Sequence, residues 1–341
     1  MDIDIENTID PIEYEKNQQI TFFHSKKHLD FLSNLLNSKP FFITARQKNQ
    51  IVGTIPFFIK NSMYGKVINS LPFFSSHGGV ISADNQVKKL LLERMNIFNK
   101  ENDVLSSSIV TNPFESDSDI YEKYFTFNSK EDRLTQCTVL QGLSKDVLWK
   151  EMEKRTRYSI KKGQKDGVEV ISADINEVAE RFYHTYEAGM KLKSSNLKPV
   201  QFFDFVRKNF EQNKDYEIFV AIKDKEEIAY LLVFYYRKFT EYYMPAFVLN
   251  KKHLNGVSQL IWESMKNSID RGMYYYNFGG TLKNQNSLYL FKRGWFAKDF
   301  HYNYYIFGDI QRIIKVGISE LKKHYPYFYV FSYDEILALY S

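Results

Sequence analysis

The chain has little of what secreted and membrane proteins depend on. Its 341 residues include one cysteine, so an internal disulfide framework is excluded and a reducing compartment is favoured. No run approaches the roughly 18 consecutive apolar residues that a membrane-spanning helix needs. The N-terminal residues are acidic and lack a basic segment followed by an apolar one, so no secretory signal is visible. These absences predict a soluble, cytoplasmic protein.

Several catalytic signatures are also missing. The sequence contains no Gly-Lys-Ser/Thr phosphate loop, no dinucleotide-binding glycine fingerprint after a strand and no Gly-x-Ser-x-Gly turn. No group of histidine and cysteine residues has the spacing of a metal site, so no metal is predicted. Transfer of a group between bound molecules remains, because positioning and charge stabilisation then supply most of the rate.

What the chain does contain is enough apolar and aromatic material for two cores. Hydrophobic residues make up 44% and aromatic residues 17%, which argues against extended disorder. A chain of this length is expected to form two domains. The net charge of +5 is small, and the lysines accompany many Asn, Ile, Tyr and Phe residues. The charge therefore does not predict DNA as a partner.

Alternating strand and helix patterns predict an α/β (α+β) fold. Each half contains helices, a strand hairpin, a further strand, a glycine-bearing loop, a helix and another strand, which is a repeat of pattern but not of residues. No low-complexity linker separates the halves. We therefore predict an acidic N-terminal lead over residues 1–16, a first domain over 17–142 and a second domain over 143–341.

Two short segments near the C-terminal end carry the strongest functional pattern. Tyr276-Asn277-Phe278-Gly279-Gly280 ends a short apolar strand, and Phe291-Lys292-Arg293-Gly294-Trp295 follows ten residues later. The glycine pair lets backbone approach a ligand where a side chain would clash. The lysine supplies a cation between an aromatic residue and an arginine. This pattern predicts a site for a phosphate or an oxyanion, and the alternative is a turn with exposed charge.

A basic helical stretch is a second candidate. Lys154, Arg157, Lys161 and Lys165 are three or four residues apart, so they lie on one helical face that can hold phosphates or a carboxylate. Arg157 interests us most, because the planar guanidinium suits bidentate recognition of phosphate. The alternative is a solvated helix face.

Two other patterns are weaker. His77 precedes Gly78 and Gly79 after an aromatic run, which indicates a tight turn, with the histidine a loop residue more than a base. Tyr242 and Tyr243 alternate along a predicted strand, so only one of them can line a groove.

In this order, these segments resemble the Fem-type peptidoglycan-bridge aminoacyltransferases and their relatives in the GNAT acyltransferase superfamily. The resemblance runs from about Thr21 to Asp309. It rests on Ser70-Leu-Pro-Phe-Phe with His77-Gly-Gly, Arg133-Leu-Thr-Gln, Trp149, Arg155 and Arg157 with Ile160-Lys161-Lys162, Gly167-Val-Glu-Val, Asn277-Phe-Gly-Gly and Phe291-Lys-Arg-Gly-Trp.

The resemblance implies two GNAT-like domains, each a mixed twisted sheet flanked by helices, with the acceptor bound in a cleft that involves both. It implies that an amine of the acceptor attacks an activated acyl or aminoacyl group and forms an amide. The co-substrate is acyl-CoA or aminoacyl-tRNA, and no cofactor is tightly bound. The acceptor is an amine-bearing cell-envelope precursor or amino sugar, reached with a transient contact to a membrane surface.

The resemblance also assigns roles to residues. Lys292 matches the functional lysine of the family and is the catalytic candidate, steadying developing negative charge or a donor phosphate. Tyr243 falls where the family often places a substrate-contacting tyrosine, and Arg157 is carried over with the basic helix. The other substrate-binding candidates are Phe291, Arg293, Gly279, Gly280, Asn112 and His77.

Three departures weaken a tRNA donor and a peptidoglycan acceptor. Asn112-Pro113 stands where bridge-forming members have Asp-Pro, and an asparagine cannot take a proton. Residues 176–213 leave no room for the long helical arm of some members. The segment 189–194 lacks the arginine-containing pattern of those members. For an acyl-CoA donor, the nearest match to a pyrophosphate signature is His253-Leu-Asn-Gly-Val-Ser258, which is incomplete and better fits a plain helix N-terminus. A non-catalytic binding module for RNA or an anionic surface is the alternative function.

Overall fold

The computed structural model describes residues 1–73, 77–192 and 196–333. Phe74 of the first resemblance segment, and Lys193 and Ser194 of the departing segment, lie outside these ranges. The chain divides into two compact units, one formed by Met1–Leu134 with His301–Ser341 and the other by Thr135–Phe300.

The first unit is built on a mixed sheet with strand order β1-β2-β3-β4-β5-β12. The pair β4 and β5 is parallel and the other neighbouring pairs are antiparallel. The strands are β1 (Asp2–Glu6), β2 (Pro40–Gln47), β3 (Gln50–Ser62), β4 (Gly65–Asn69), β5 (Val104–Val110) and β12 (Lys298–Gly308). The helices are α1 (Pro11–Tyr14), α2 (Lys26–Leu36), α3 (Asn85–Glu101), α4 (Ser118–Tyr124), α11 (Ile310–Val316) and α12 (Ile318–His324), with a 3-10 helix at Phe22–His24.

The second unit repeats this pattern with different residues. Its strand order is β6-β11-β10-β9-β8-β7, with β10 and β11 parallel. The strands are β6 (Ser129–Val139), β7 (Glu169–Ser172), β8 (Tyr216–Lys223), β9 (Glu226–Tyr236), β10 (Phe239–Phe247) and β11 (Tyr275–Thr281). The helices are α5 (Lys145–Glu151), α6 (Lys154–Lys165), α7 (Ile175–Leu192), α8 (Phe202–Asn209), α9 (Gly256–Asp270) and α10 (Asn286–Arg293), with a 3-10 helix at Leu249–Leu254.

Each unit contains a hairpin followed by a strand, a helix and a parallel strand. In the first unit this run is β2, β3, β4, α3 and β5, and in the second it is β8, β9, β10, α9 and β11. The predicted α/β fold of mixed sheets flanked by helices is therefore confirmed. None of the helices in the described ranges is long and apolar enough to cross a membrane.

Each sheet is covered by the helix that joins its parallel strands. In α3, Val87, Leu91 and Met95 recur every four residues and pack on the first sheet with Ile55 and Phe57. In α9, Leu260, Ile261 and Met265 pack on the second sheet in the same way. Gly163 of α6 lets that helix approach α9, because a Cβ there would lie 2.4 Å from Gln259 Nε2.

The boundaries differ from the predicted domains in two respects. The division falls at Leu134, before the predicted boundary at residue 142, and residues from His301 onward join the first unit because β12 pairs with β5. The acidic residues 1–16 include an edge strand and a short helix. Two of these acidic residues form ion pairs with Arg46 of β2, Glu6 at 3.0 Å and Glu13 at 3.1 Å.

Three buried histidines lie in the core of the first unit. The His28 ring packs 5.3 Å from the ring of Phe23, which lies 4.7 Å from His77. Burial lowers the pKa of His24 to about 4 and that of His28 to about 3. Burial also lowers the pKa of His77 well below its usual value, and the two neighbouring histidines lower it further. All three imidazoles are therefore neutral at pH 7.

We expect this cluster to make the protein acid-sensitive. Below a pH of about 6.5 each imidazole takes up a proton in the unfolded chain but not in the folded one, so the free energy of unfolding falls by about 1–2 kcal/mol per histidine between pH 7 and 5. Urea unfolding at several pH values measures this slope. His28→Gln should make the slope shallower, whereas His184→Gln, at a side chain 68% exposed, should not. Equal slopes for wild type and His28→Gln would contradict the account.

Candidate functional site

The parallel strands β10 and β11 of the second unit form a fork. They pair where Phe239–Glu241 of β10 lies beside Tyr275–Asn277 of β11. Beyond these residues, the described parts of the two strands are not paired with each other. A β-bulge between Tyr242 and Met244 in β10 shifts its pairing with β9 just beyond this point. The carboxyl ends of parallel strands are where ligands bind in open α/β sheets. The fork is therefore the candidate site.

Asn277 connects the two arms of the fork through its side-chain amide. Its Nδ2 donates to Glu241 Oε2 at 2.8 Å, across the two strands. Its Oδ1 accepts from Thr135 Oγ1 at 2.7 Å and from the backbone nitrogen of Gly279 at 2.9 Å. Gly279 has a φ of +73°, a conformation that favours glycine. The Asn-Phe-Gly-Gly motif thus orients a carboxylate, and its left-handed glycine lies within β11 just beyond the fork.

Glu241 is buried with half of its carboxylate unpartnered. The residue is 2% exposed, and Oε1 has no hydrogen-bond partner among the described residues. Burial raises the pKa of Glu241 to about 8, and the hydrogen bond from Asn277 opposes that shift. A carboxylate with a pKa near neutrality suits proton transfer, and a buried unpaired oxygen needs an explanation that ligand binding provides.

Sequence reasoning missed Glu241. The sequence offers one signal: Glu241 is a charged residue in a strand run, Thr240 to Phe247, whose other residues are mostly apolar or aromatic. Glutamates are rarely buried without a partner, so one in such a run is a candidate functional residue.

Lys292 lies on α10 and is 3% exposed. Its Nζ donates to the carbonyl oxygens of Gly279 at 2.9 Å and Gly280 at 2.8 Å, and to Thr281 Oγ1 at 2.9 Å. Burial lowers the pKa of Lys292 to about 7, while these acceptors favour the charged form. The ammonium is thus enclosed by protein acceptors and fixes the end of β11 immediately after the fork.

The flanking residues of the Phe-Lys-Arg segment face outward. Phe291 is 37% exposed, with its ring centroid 6.3 Å from that of Trp295, and Arg293 is exposed. The helix α10 therefore presents one buried cation to the backbone of β11 and an exposed aromatic and arginine to the outside.

Tyr243 lies at the bulge of β10, close to Glu241. Its ring packs 4.9 Å from Phe234 and 6.0 Å from Phe202, and Lys198 Nζ lies 5.1 Å from its centroid. Burial raises the pKa of the Tyr243 hydroxyl, and the charge of Glu241 contributes to that rise. Tyr242 instead packs into the core, with its ring 5.4 Å from that of Phe278 on β11.

Arg157 of α6 donates hydrogen bonds to the backbone of the preceding helix α5. Its Nη1 donates to the carbonyl oxygens of Trp149 at 3.2 Å, Lys150 at 2.6 Å and Met152 at 2.7 Å, which lie at the C-terminal end of α5. The predicted phosphate contact of Arg157 remains a prediction, and the contacts found here fix the connection between α5 and α6.

The predicted pyrophosphate segment leads into α9. Asn255 has a φ of +59° and makes no side-chain cap at the start of the helix, and Lys162 Nζ donates to the His253 carbonyl at 3.3 Å. Its role in binding a donor stays a prediction.

His77 and Asn112 lie in the first unit. His77 lies outside the helices and strands, as predicted, and it is fully buried between aromatic rings. Asn112 donates from Nδ2 to Glu115 Oε1 at 3.0 Å and accepts at Oδ1 from the backbone nitrogen of Phe114 at 3.1 Å. Both contacts stabilise the turn after β5.

In the first unit, hydrogen bonds of Asn69 fill the end of the parallel pair β4 and β5, whereas in the second unit β10 and β11 stop pairing at the fork. Asn69, at the end of β4, donates to Ser108 Oγ at 2.9 Å and to the carbonyl of Tyr329 at 2.8 Å, and it accepts from the Tyr329 nitrogen at 2.7 Å. The C-terminal segment thus occupies the position that corresponds to the fork. In the described part of the chain, no group of three or more His, Cys, Asp or Glu residues is arranged to hold a metal ion.

Comparison with known proteins identifies a domain of known type within the second unit. Residues 150–293 match a family model described as an acetyltransferase (GNAT) domain. This range includes Glu241, Asn277 and Lys292. None of the curated proteins compared with the chain matches it in sequence.

Solved structures share the fold over most of the chain. A crystal structure of FemX has a TM-score of 0.71 at 13% identity, covering 89% of this chain and 97% of that one. The C-terminal domain of a putative lysylphosphatidylglycerol synthetase from Agrobacterium fabrum has a TM-score of 0.62 at 8% identity, covering 93% and 98%. A tandem GNAT protein from the clavulanic acid biosynthesis pathway has a TM-score of 0.53 at 9% identity, covering 89% and 98%. The predicted resemblance to GNAT acyltransferases is confirmed over residues 150–293 by the family model, and the chain shares the fold of FemX.

We expect Lys292→Met to loosen the end of β11. The change removes charged hydrogen bonds of about 1.5–3 kcal/mol each, so amide hydrogen exchange over residues 279–286 should accelerate about tenfold or more. Exchange mass spectrometry measures this, with Lys283→Met as the matched control at an exposed lysine. If the protection of this segment is the same in Lys292→Met and wild type, the anchoring role is wrong.

Proposed function

Because residues 150–293 match a GNAT domain and the chain has the fold of FemX, we propose that the protein is an amide-forming N-acyltransferase acting at the β10–β11 fork. The observation that carries this proposal is the buried, unpartnered Oε1 of Glu241, held at the fork by Asn277. A purely structural glutamate gains nothing from an unsatisfied oxygen.

The reaction divides among the residues of the fork. The acceptor amine attacks the carbonyl carbon of the donor, and a carbon–nitrogen bond forms while the bond to the leaving thiol or hydroxyl breaks. The proton released from the amine nitrogen passes to Glu241 Oε1 and from there to the leaving sulfur or oxygen, which departs as the thiol or hydroxyl. Asn277 keeps the carboxylate oriented through Oε2. Burial of the fork strengthens these electrostatic interactions.

Lys292 takes a positioning role in this proposal. Its three donors are engaged by Gly279, Gly280 and Thr281, so it fixes the strand end that borders the acyl group. Tyr243, Phe291 and Arg293 are the residues we propose to contact substrate. If Lys292 instead has the catalytic role that the resemblance implies, its substitution should lower turnover more than substrate binding.

The donor and acceptor follow from chemistry and from the neighbours. The GNAT description favours acyl-CoA, and the lysylphosphatidylglycerol synthetase neighbour is named for aminoacyl transfer to a lipid, which favours aminoacyl-tRNA. We propose acyl-CoA as the first donor to test. The acceptor we propose is an amine of a cell-envelope precursor or amino sugar, modified in the cytoplasm.

Radiolabel transfer identifies the donor. Purified protein is incubated with labelled acetyl-CoA and longer acyl-CoAs, and separately with charged tRNA, each with cell extract as the source of acceptor. Acid-stable label is expected from the acyl-CoA arm only. Label from the tRNA arm only reverses the choice of donor and keeps acyl transfer. Label from neither arm, together with retention of RNA or an anionic surface, favours the binding module.

Glu241→Gln tests the site itself. The amide keeps the shape and the contact to Asn277 but cannot accept a proton, so kcat/KM should fall about a hundredfold to ten-thousandfold. Since the base must be deprotonated, wild-type activity should rise as the pH increases through about 8, and the variant should lose this limb. Glu217→Gln is the matched control, because Glu217 is also buried in the same sheet but its Oε2 accepts from Tyr235 and Asn267. An unchanged pH profile in Glu241→Gln would show that another group takes the proton.

A further inference from the structure

A buried lysine beside the fork has no part in the proposed reaction. Lys198 lies in the connection between α7 and α8 and is 7% exposed. Its Nζ lies 5.9 Å from the ring centroid of Tyr186, 5.8 Å from that of Phe202 and 5.1 Å from that of Tyr243. We call these three rings the aromatic cage. Aromatic faces attract a cation within about 6 Å, so the cage holds the lysine side chain in place.

The backbone of Lys198 is fixed as firmly as its side chain. The Tyr183 hydroxyl donates to the Lys198 carbonyl oxygen at 2.8 Å, and the Lys198 backbone nitrogen donates to the Tyr186 hydroxyl at 3.2 Å. Both tyrosines belong to α7. Pro199 follows and restricts Lys198 to extended backbone conformations. The entry of the lysine side chain into the aromatic cage is therefore a built feature of the second unit.

The aromatic cage adjoins the fork through Tyr243. This tyrosine follows Glu241 by two residues on β10. Burial raises the pKa of the Tyr243 hydroxyl, and the charges of Tyr186 and Glu241 raise it further. Tyr243 is also partly exposed, whereas Tyr186 and Phe202 are buried, so the cage meets solvent on the Tyr243 side. The lysine amine and the proposed base thus lie next to the same tyrosine.

Burial also makes the Lys198 amine a usable nucleophile. It lowers the pKa of Lys198 to about 8. At pH 7 about a tenth of such amines are neutral, compared with about one in 2,500 for an ordinary lysine. A lysine becomes nucleophilic when desolvation lowers its pKa in this way. The amine beside the fork therefore has the chemistry of an acceptor.

We propose that Lys198 is an acylation site of the protein itself, modified at the fork by the acyl donor. This inference rests on the proposed function. The neutral Nζ attacks the carbonyl carbon of the donor, a carbon–nitrogen bond forms, and the bond to the leaving sulfur or oxygen breaks. The proton released from Nζ passes to Glu241 Oε1 and then to the leaving atom, which departs as the thiol or hydroxyl. The product is a neutral amide on Lys198.

Mass spectrometry of the full chain tests this without any extract. Purified protein is incubated with acetyl-CoA and, separately, with charged tRNA, and the modified lysines are located in its peptides. One acyl group per chain is expected on Lys198, from the same donor that labels an acceptor in extract. Because the cage holds the amine beside the fork, Lys198 should react at least about tenfold faster than the exposed Lys100 and Lys283. Acetic anhydride, which needs no site, should modify the exposed lysines first.

Three variants separate catalysed from spontaneous acylation. Lys198→Arg keeps a cation in the aromatic cage and should lose the label. Glu241→Gln should slow labelling of Lys198 about a hundredfold or more, because it removes the proposed base. Glu217→Gln, in the same sheet, should label like wild type. Thermal melting confirms that each variant is folded.

The outcomes distinguish this inference from the proposed function. An unmodified Lys198 in protein that labels an acceptor in extract would overturn the inference and leave acyl transfer intact. Labelling of Lys198 no faster than that of Lys100 and Lys283, or equal labelling in Glu241→Gln, would make the modification spontaneous and would also overturn it. Absence of label from both Lys198 and the extract would overturn the inference and the proposed function together.

Discussion

The hydrogen bond from Asn277 to Glu241 is the interaction on which the candidate site depends. It joins two parallel strands at the last point where they pair, and it uses one carboxylate oxygen while the other is buried without a partner in the described part of the chain. An unsatisfied carboxylate is costly in a protein interior, so the surrounding structure must hold it in place. Thr135 and the Gly279 nitrogen do so by fixing the amide of Asn277.

The two units show why the same strand pattern gives a site in one and not in the other. In the first unit, Asn69 lies at the end of β4, the first strand of the parallel pair. Its side-chain amide donates to Ser108 and to the carbonyl oxygen of Tyr329. The polar groups there satisfy one another. In the second unit β10 and β11 stop pairing after Glu241 and Asn277, the bulge of β10 follows, and Glu241 Oε1 has no hydrogen-bond partner among the described residues. This contrast supports the proposal that the chemistry lies in the second unit.

Sequence patterns predicted the α/β class, the paired units and the Asn-Phe-Gly-Gly motif, because strand and helix periodicity and glycine positions are local properties. They placed the domain boundary differently from the compact units, because strand β12 returns to pair with β5, and such a long-range pairing leaves no local signal. They also marked Lys292 without showing that protein carbonyls surround it. Glu241 escaped notice because its partner lies 36 residues away in the chain.

The most direct measurement is the titration of the Glu241 carboxyl itself. Carbon-13 NMR of glutamate-labelled protein, with the resonance assigned by its absence in Glu241→Gln, follows the protonation of this one group. The account predicts a midpoint of about 8, set by burial. A midpoint near the ordinary glutamate value of about 4.3 would mean that solvent or another partner reaches the carboxylate, and would contradict the assignment of Glu241 as the base.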